Sequence, residues 1–433
     1  MTQILQKLFG FDPSKTTIKR EIIAGITTFL TMSYILAVNP TIFSMLDGMP
    51  GGAVFTSTAL AAIIGCLAMA LWGKLPFGLA PGMGLNAFFV YGVCLGMGYS
   101  WQFALTAVLL EGLIFILLTI TNIREAIVNA IPPSLRDAIG AGIGLFIAFI
   151  GLSSAGVVVA NDATLVSLGD ITSGSALLAL IGIIITGLMF MRDVPGAILV
   201  GVVVTMLIGI PMGVTEFKGV LSTPESIAPI FCQFEFDNIF TLDMVVVVFT
   251  LLFIDMFDTV GTLVGVCTKS GMIDKSGKIY RIKEAFMADA IATTAGAVLG
   301  TSTTTTYVES AAGVAQGGRS GLTAFVIALC FGVALFFSPL FLSIPSAATA
   351  PALIIVGLMM MEPIVKIPFG DFSESIPSFV CIVMMPLTYS ISNGILLGMI
   401  SYVLLNIACG KFSKITTVMY ILAILFILKF IFI

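Results

Sequence analysis

Carboxyl and hydroxyl side chains recur at helical spacing in one otherwise apolar stretch of the sequence. Four of them stand at positions i, i+3, i+4 and i+7: Asp255, Asp258, Thr259 and Thr262. This spacing places all four on one face of a helix. Two carboxyl groups one turn apart repel each other when both are ionised, so one of them is expected to hold a proton. The stretch predicts a site that binds a polar group or transfers a proton.

Two further polar residues stand where apolar segments are interrupted. Glu309 follows six consecutive hydroxyl residues at 301–306, which favour extended backbone over helix. At the start of a half-helix, Glu309 would meet free backbone N–H groups and the positive end of the helix dipole. Asn86 ends the run 79–86, which contains one proline and two glycines. Its amide both donates and accepts hydrogen bonds, which suits the edge of a heterocycle.

Each of these residues also has a purely structural interpretation. The two aspartates would join their helix to a neighbouring helix by hydrogen bonds. Glu309 would complement a helix dipole, and Asn86 would cap a broken helix. We favour binding roles because an ionisable side chain within a membrane span costs about 2.5–3.5 kcal/mol. Glu111 and Asp289 are isolated, and we interpret them as packing groups. Aromatic candidates for stacking on a flat ligand are Tyr34, Phe88, Phe89, Phe257 and Tyr307.

The composition identifies the surroundings of these residues as lipid. The chain has 433 residues, of which 58% are hydrophobic and 10% are charged, whereas about 25% are charged in an average soluble domain. Continuous apolar runs long enough for spanning helices recur from Ala24 onwards. Since these runs do not alternate apolar with polar residues, they predict an all-α polytopic membrane protein rather than a β-barrel.

Several classes of function are disfavoured by what the sequence lacks. It has no histidine, and its seven cysteines form no C-x-x-C pair, so no metal site is indicated. No Walker A sequence is present, which argues against ATP as the energy source. The 19 lysines and arginines form no patch for nucleic acid. We expect no cofactor, and any proton chemistry must use carboxyl groups.

The apolar pattern predicts fourteen transmembrane helices. The first seven-span repeat covers 24–212, with spans at 24–45, 52–72, 79–96, 102–120, 138–159, 173–191 and 195–212. An external loop at 213–242 leads to the second repeat at 243–409, with spans at 243–265, 286–299, 303–317, 322–341, 347–361, 376–390 and 391–409. Residues 1–23 form a cytoplasmic N-terminal segment, and 410–433 a C-terminal apolar tail that either spans the bilayer or lies at its surface.

An odd number of spans in each repeat requires inverted topology, which many secondary transporters have. With a cytoplasmic N-terminus, nearly all basic residues fall on the cytoplasmic side, as the positive-inside rule requires. Spans 3 and 10 are the interrupted ones, at matching positions in the two repeats. Such a pair is the best sequence indicator of a transporter binding site. Carboxylates and an amide would accept hydrogen bonds from the ring N–H groups of a small, flat, uncharged solute such as a purine base.

The sequence resembles nucleobase–cation symporter family 2, which has the nucleobase/ascorbate transporter fold, and within it the AzgA-like branch of adenine/guanine/hypoxanthine permeases. The resemblance covers most of the chain and rests on the motifs at 25–40, 80–89, 129–133, 255–262 and 307–313. It implies a core domain of spans 1–4 and 8–11 and a gate domain of spans 5–7 and 12–14. It also implies elevator-type import of purine bases, hypoxanthine or guanine foremost and adenine as well, by proton symport.

The resemblance assigns roles to individual residues. Positions matching Asn86, Asp255 and Glu309 contact or orient the base, with Tyr307 and Phe88 as further substrate-binding candidates. Asp258, together with Asp255 and Glu309, is the candidate for proton coupling. We expect the bilayer, in a bacterial inner membrane, and a small-molecule purine base as partners, with no nucleic acid. A homodimer stays open.

Other functions remain open from the sequence. One is a related carrier for another small solute, such as uracil, xanthine or an anion. Another is an intramembrane aspartyl enzyme, although that chemistry normally takes its two carboxyl groups from facing helices. Sodium is the alternative coupling ion to the proton.

Overall fold

The computed structural model describes residues 2–121, 131–270 and 281–432, and these residues are mostly helical. Part of the motif at 129–133 and the side chain of Phe257 lie outside the described residues. In the first half the helices are α1 Thr2–Phe9, α2 Ile18–Met32, α3 Ile35–Phe43, α4 Gly51–Ala68, α5 Met83–Ala87, α6 Trp101–Ile120, α7 Pro133–Ser154, α8 Gly174–Met191 and α9 Ala197–Gly209. Wider π-helical turns continue α4 over Met69–Gly73 and α5 over Phe88–Gly96.

The second half is also mostly helical. Its helices are α10 Leu242–Ser270, α11 Ile282–Leu299, α12 Ser310–Ala315, α13 Gly321–Ala334, α14 Ser338–Leu342, α15 Ser346–Met361, α16 Phe372–Leu387, α17 Ile391–Ala408 and α18 Thr417–Phe432. The strands of the whole chain are β1 Leu79–Pro81, β2 Val158–Asn161, β3 Leu165–Leu168 and β4 Thr304–Thr306.

The helices confirm that this is a polytopic α-helical membrane protein. Within the described residues, eight helical stretches are long and apolar enough to cross a bilayer, and three shorter apolar helices accompany them. The latter are Met83–Gly96, Ala197–Gly209 and Phe372–Leu387. The total of fourteen spans and their arrangement as inverted repeats stay predictions.

Three predicted segments differ from the observed elements, and a fourth, 303–317, shows the interruption that its hydroxyl run predicts. The segment 24–45 consists of two helices, because the chain turns at Ser33 and Tyr34 between α2 and α3. The segment 138–159 ends as helix at Ser154 and continues into the hairpin of β2 and β3, after Gly156 takes a φ of +76°. The segment 303–317 is a strand followed by the six-residue α12. The segment 243–265 continues as helix to Ser270.

The helices pack in two groups. In the first group, α11 packs against α4 and α6, α13 against α2 and α4, and α10 against α6. In the second group, α15 packs against α7, α8 and α9, and α16 packs against α7 and α17. Contacts within each group are more extensive than contacts between the groups.

The C-terminal tail forms a helix, α18, that packs along α17. Lys414 holds the turn before it, because its Nζ lies 3.0 Å from Asp371 Oδ2 and 2.8 Å from Glu374 Oε1. Hydrogen bonds from Ser373 and Lys414 keep the pKa of Asp371 well below its usual range. Within the tail, the ring of Phe426 meets that of Phe249 edge to face at 5.5 Å. The tail therefore touches α17 of the second group and α10 of the first.

Glycines allow the second group to pack with backbones in direct approach. A Cβ at Gly144 would lie 2.4 Å from the carbonyl oxygen of Gly357, and a Cβ at Gly357 would lie 2.5 Å from that of Gly144. Small residues at helix crossings are a general means of close packing in membranes.

We expect Gly144→Ala to lower the free energy of unfolding by about 1–3 kcal/mol through overpacking. Gly140→Ala, one turn earlier in α7, is the matched control, because its Cβ would meet nothing closer than Met360 O at 3.8 Å. Both variants gain the same helix propensity, so thermal unfolding in detergent isolates the packing effect. Equal unfolding midpoints for the two variants would contradict this account.

Candidate functional site

Two short strands cross inside the first group of helices and pair with each other. β1 and β4 are antiparallel, with Leu79 opposite Thr306, Ala80 opposite Thr305 and Pro81 opposite Thr304. The pairing continues beyond both strands through two backbone bonds of 3.0 Å, Gly82 N to Thr303 O and Tyr307 N to Gly78 O. All the strand residues are buried. The interruption predicted for the segments at 79–96 and 303–317 is therefore a shared structural element.

We call the antiparallel pair of β1 and β4 the ladder. Each strand leads into a half-helix, and the two half-helices start at opposite ends of the ladder. The hydroxyl of Ser302, just before β4, donates a hydrogen bond to Asn86 Oδ1 in the half-helix that follows β1. At the other end, the Ser310 hydroxyl accepts a hydrogen bond from Gly78 N at 3.0 Å. The Nδ2 of Asn86 is buried and has no hydrogen-bond partner among the described residues. Asn86 therefore has spare donors at this end of the ladder.

Glu309 accepts a hydrogen bond from a residue at the turn between α2 and α3. It is 4% exposed and directly precedes α12. The fully buried phenol of Tyr34 donates a hydrogen bond to Glu309 Oε1 at 2.7 Å. The structure thus gives Tyr34 a polar contact, where the sequence suggested only an aromatic surface for stacking.

Asp255 lies in a second network that connects α10 with the ladder. The Thr259 hydroxyl lies 3.3 Å from Asp255 Oδ1, 3.1 Å from Asp289 Oδ2 and 2.8 Å from the Thr305 hydroxyl. All four residues are buried. One hydroxyl group therefore connects carboxyl groups on α10 and α11 with the middle of β4.

Asp258, one turn beyond Asp255 on α10, is half-buried. It lies close enough to the carboxyl groups of Asp255 and Glu309, and to the phenols of Tyr34 and Tyr307, for electrostatic interaction. Three carboxyl groups named from the sequence are thus gathered beside the ladder. Ionising all three together in an apolar bundle is opposed by their mutual repulsion.

The aromatic candidates occupy the two ends of the ladder. The Tyr307 hydroxyl donates to the carbonyl of Pro81 at 2.5 Å, so it stabilises the crossing of the strands. Phe88, two residues after Asn86, is 1% exposed. The ring of Phe89 packs on that of Phe43 at 5.0 Å, which makes it part of the core between α3 and the half-helix.

The hydroxyl run contains contacts that the sequence reasoning did not find. Ser302 bonds Asn86, and Thr303 donates to Glu111 Oε2 from the neighbouring α6. Thr293 of α11 donates to the carbonyl of Thr304 at 3.0 Å. Six consecutive hydroxyl residues in an apolar bundle were the available signal, because each needs a polar neighbour there. In the described ranges, no group of three or more His, Cys, Asp or Glu side chains could hold a metal ion.

The sequence was compared with those of known proteins, and it is similar to known permeases. The sequence profile of the Permease family matches residues 19–397. The guanine/hypoxanthine permease of Bacillus subtilis is 46% identical over 439 residues, covering 99% of this chain and 100% of its own. The adenine permease of Escherichia coli is 43% identical over 430 residues, covering 99% and 96%.

A solved structure shares the fold. The transmembrane domain of a cyanobacterial bicarbonate transporter superposes with a TM-score of 0.65 at 15% identity, covering 87% of this chain and 97% of that domain. At this identity the likeness concerns the fold alone. It supports an integral membrane transporter fold for the chain.

We expect Thr259→Val to weaken the network between α10, α11 and the ladder. Valine keeps the shape but removes the hydroxyl, and a lost hydrogen bond to a charged group costs about 1.5–3 kcal/mol. The unfolding midpoint of the purified variant should therefore fall. Thr262→Val, three residues further along the same helix and also buried, is the control. Similar losses in both variants would show that the Thr259 contacts carry no special weight.

Proposed function

This chain belongs to nucleobase–cation symporter family 2, and on that premise we propose that it imports purine nucleobases, hypoxanthine and guanine foremost and adenine as well. The main support for this proposal is sequence identity above 40%, over nearly the whole chain, to permeases named for guanine/hypoxanthine and for adenine. The protein is a transporter and not an enzyme. We propose the bacterial inner membrane as its location, with the N-terminus in the cytoplasm.

The chemistry of the site supports a neutral base as substrate. Glu309, Asp255 and Asp258 supply acceptors, and Asn86 supplies amide donors. Purine bases carry both ring N–H donors and ring-nitrogen or carbonyl acceptors. Among the described residues, no lysine or arginine is fully buried. A buried cation would favour an anionic substrate, and none of the described residues supplies one.

We propose that Glu309 and Asp255 bind the base from one side and Asn86 from the other. The antiparallel ladder supports this division, because it sets the half-helices that carry Glu309 and Asn86 at its opposite ends. Tyr307 and Phe88 are proposed to border the same space with their rings. Asp258 is proposed to exchange the coupling proton with Asp255 and Glu309.

Transport is proposed to follow an elevator mechanism, with α2–α6 and α10–α14 as core domain and α7–α9 and α15–α17 as gate domain. The two packing groups support this proposal, since closer contacts within a group than between groups favour rigid-body motion. The proposed architecture is two inverted repeats of seven spans.

Glu309→Gln is expected to abolish hypoxanthine uptake in a strain that lacks its own purine transporters. The amide keeps the shape of the side chain but loses the charge that accepts the base's N–H and the Tyr34 phenol. Uptake of labelled hypoxanthine, with guanine, adenine, xanthine and uracil as competitors, measures both activity and selectivity. Glu216→Gln in the exposed external loop is the control. Unchanged affinity in Glu309→Gln would refute the assigned role.

Uptake is expected to rise as external pH falls and to collapse with a protonophore. The physical reason is the repulsion among the three neighbouring carboxyl groups, which one proton relieves. Asp258→Asn, which is neutral at every pH, should stop accumulation against a gradient, whereas the exposed Asp237→Asn should not. Uptake that requires sodium and ignores both pH and the protonophore would replace H⁺ by Na⁺ as coupling ion.

A further inference from the structure

Tyr34 lies at the turn between α2 and α3, inside the helical stretch Ile18–Phe43 that is long enough to span a membrane. The last i−4 backbone bond of α2 here runs from Ser33 N to Phe29 O at 2.8 Å. The next turn is tighter, with Leu36 N bonded to Ser33 O and Ala37 N to Tyr34 O, both at 3.0 Å. Such local tightening often marks a functional position. Tyr34 itself is fully buried at this turn.

The break faces Glu309, 275 residues away in the chain. Tyr34 OH donates to Glu309 Oε1 at 2.7 Å, and the Thr31 hydroxyl approaches the Glu309 carbonyl at 3.4 Å. Close packing makes this geometry rigid, because a Cβ at Gly313 would lie 2.4 Å from the carbonyl oxygen of Ala24. The half-helix after Glu309 therefore rests directly on the backbone of α2.

Resting on the proposed function, we infer that Tyr34 is the positioning residue of the substrate-binding carboxylate. A glutamate side chain has three rotatable bonds, and a second contact is needed to fix its orientation. The phenol has a single hydrogen and gives it to Oε1. Oε2 of Glu309 is thereby left as the oxygen that accepts the N–H of the base.

This inference differs from a stacking role for the Tyr34 ring. Stacking depends on the aromatic face, which phenylalanine keeps. Positioning depends on the hydroxyl, which phenylalanine lacks. Tyr34→Phe and Tyr34→Leu therefore separate the two roles. If the ring alone matters, KM should rise only in the leucine variant.

The test measures KM and Vmax for labelled hypoxanthine, together with the amount of protein in the membrane. Tyr34→Phe is expected to raise KM about tenfold or more, the size that follows from losing a hydrogen bond to a charged group. Vmax and protein amount should stay near the wild-type values. Tyr99→Phe is the matched control, since its phenol also donates to a carboxylate, Asp243 Oδ2 at 2.6 Å, away from the ladder.

Three results would overturn the inference. A wild-type KM in Tyr34→Phe with a raised KM in Tyr34→Leu would assign the ring, not the hydroxyl. Lower Vmax or protein amount at unchanged KM would assign a structural role. An equal rise of KM in Tyr99→Phe would show a general effect of losing a phenol. If wild-type protein shows no saturable hypoxanthine uptake, the proposed function itself fails, and this inference fails with it.

Poor folding of Tyr34→Phe would not end the test. Incorporation of 3-fluorotyrosine at position 34 keeps the ring and makes the phenol a stronger donor to Glu309. Its KM is expected to move outside the error of the wild-type value, and an unchanged KM would refute the positioning role.

Discussion

Backbone amide groups inside an apolar bundle must find hydrogen-bond partners within the protein. β1 and β4 interrupt helices at that depth, and each satisfies the other through the antiparallel pairing of Leu79–Pro81 with Thr304–Thr306. Pro81 has no N–H to offer, and it stands at the end of its strand, where Gly82 N takes over the bond to Thr303 O. Neither interrupted segment could exist at this depth without the other, so the ladder is the constraint on which the site depends.

The ladder also explains why the polar side chains are concentrated around it. A strand of threonines at this depth carries a hydroxyl on every residue, and each hydroxyl needs a partner. At and just before β4, Asn86 bonds Ser302, Glu111 bonds Thr303, and the network of Asp289 with Thr259 bonds Thr305. Glu111 and Asp289 are thus connected to the ladder, and their interpretation as packing groups stays a prediction. The hydroxyls of Thr304 and Thr306 and the Nδ2 of Asn86 are buried with no hydrogen-bond partner among the described residues.

The sequence was sufficient for the class of fold, the family and the interruption of two segments. Apolar run length reports burial in lipid directly, and the proline, glycine and threonine runs report non-helical backbone. It was insufficient for the break at Ser33 and Tyr34, because neither residue is a strong helix breaker and the residue that Tyr34 contacts, Glu309, is remote in sequence. The hairpin of β2 and β3 was missed since Val158, Val159 and Ala160 continue the apolar run of α7. Long-range partners of single side chains leave no trace in local composition.

The hydrogen bonds given above for the site connect elements of one packing group. Tyr34 belongs to the α2–α3 break, Glu309 to α12, Asp255 and Thr259 to α10, and Asp289 to α11. The linker from α9 to α10 is bonded to the same group, through Ser222 N to Phe336 O, Cys232 N to Val298 O and Glu235 N to the Thr106 hydroxyl. A displacement of this group against α7–α9 and α15–α17 would therefore leave the site's own bonds intact. The carboxyl groups could then keep their relative positions while their access to either side of the membrane changes. Only the smaller set of contacts between the two packing groups must rearrange. One such contact is the T-shaped pair of Tyr91 and Tyr389 at 5.4 Å, whose non-directional packing is easier to exchange than a buried hydrogen bond.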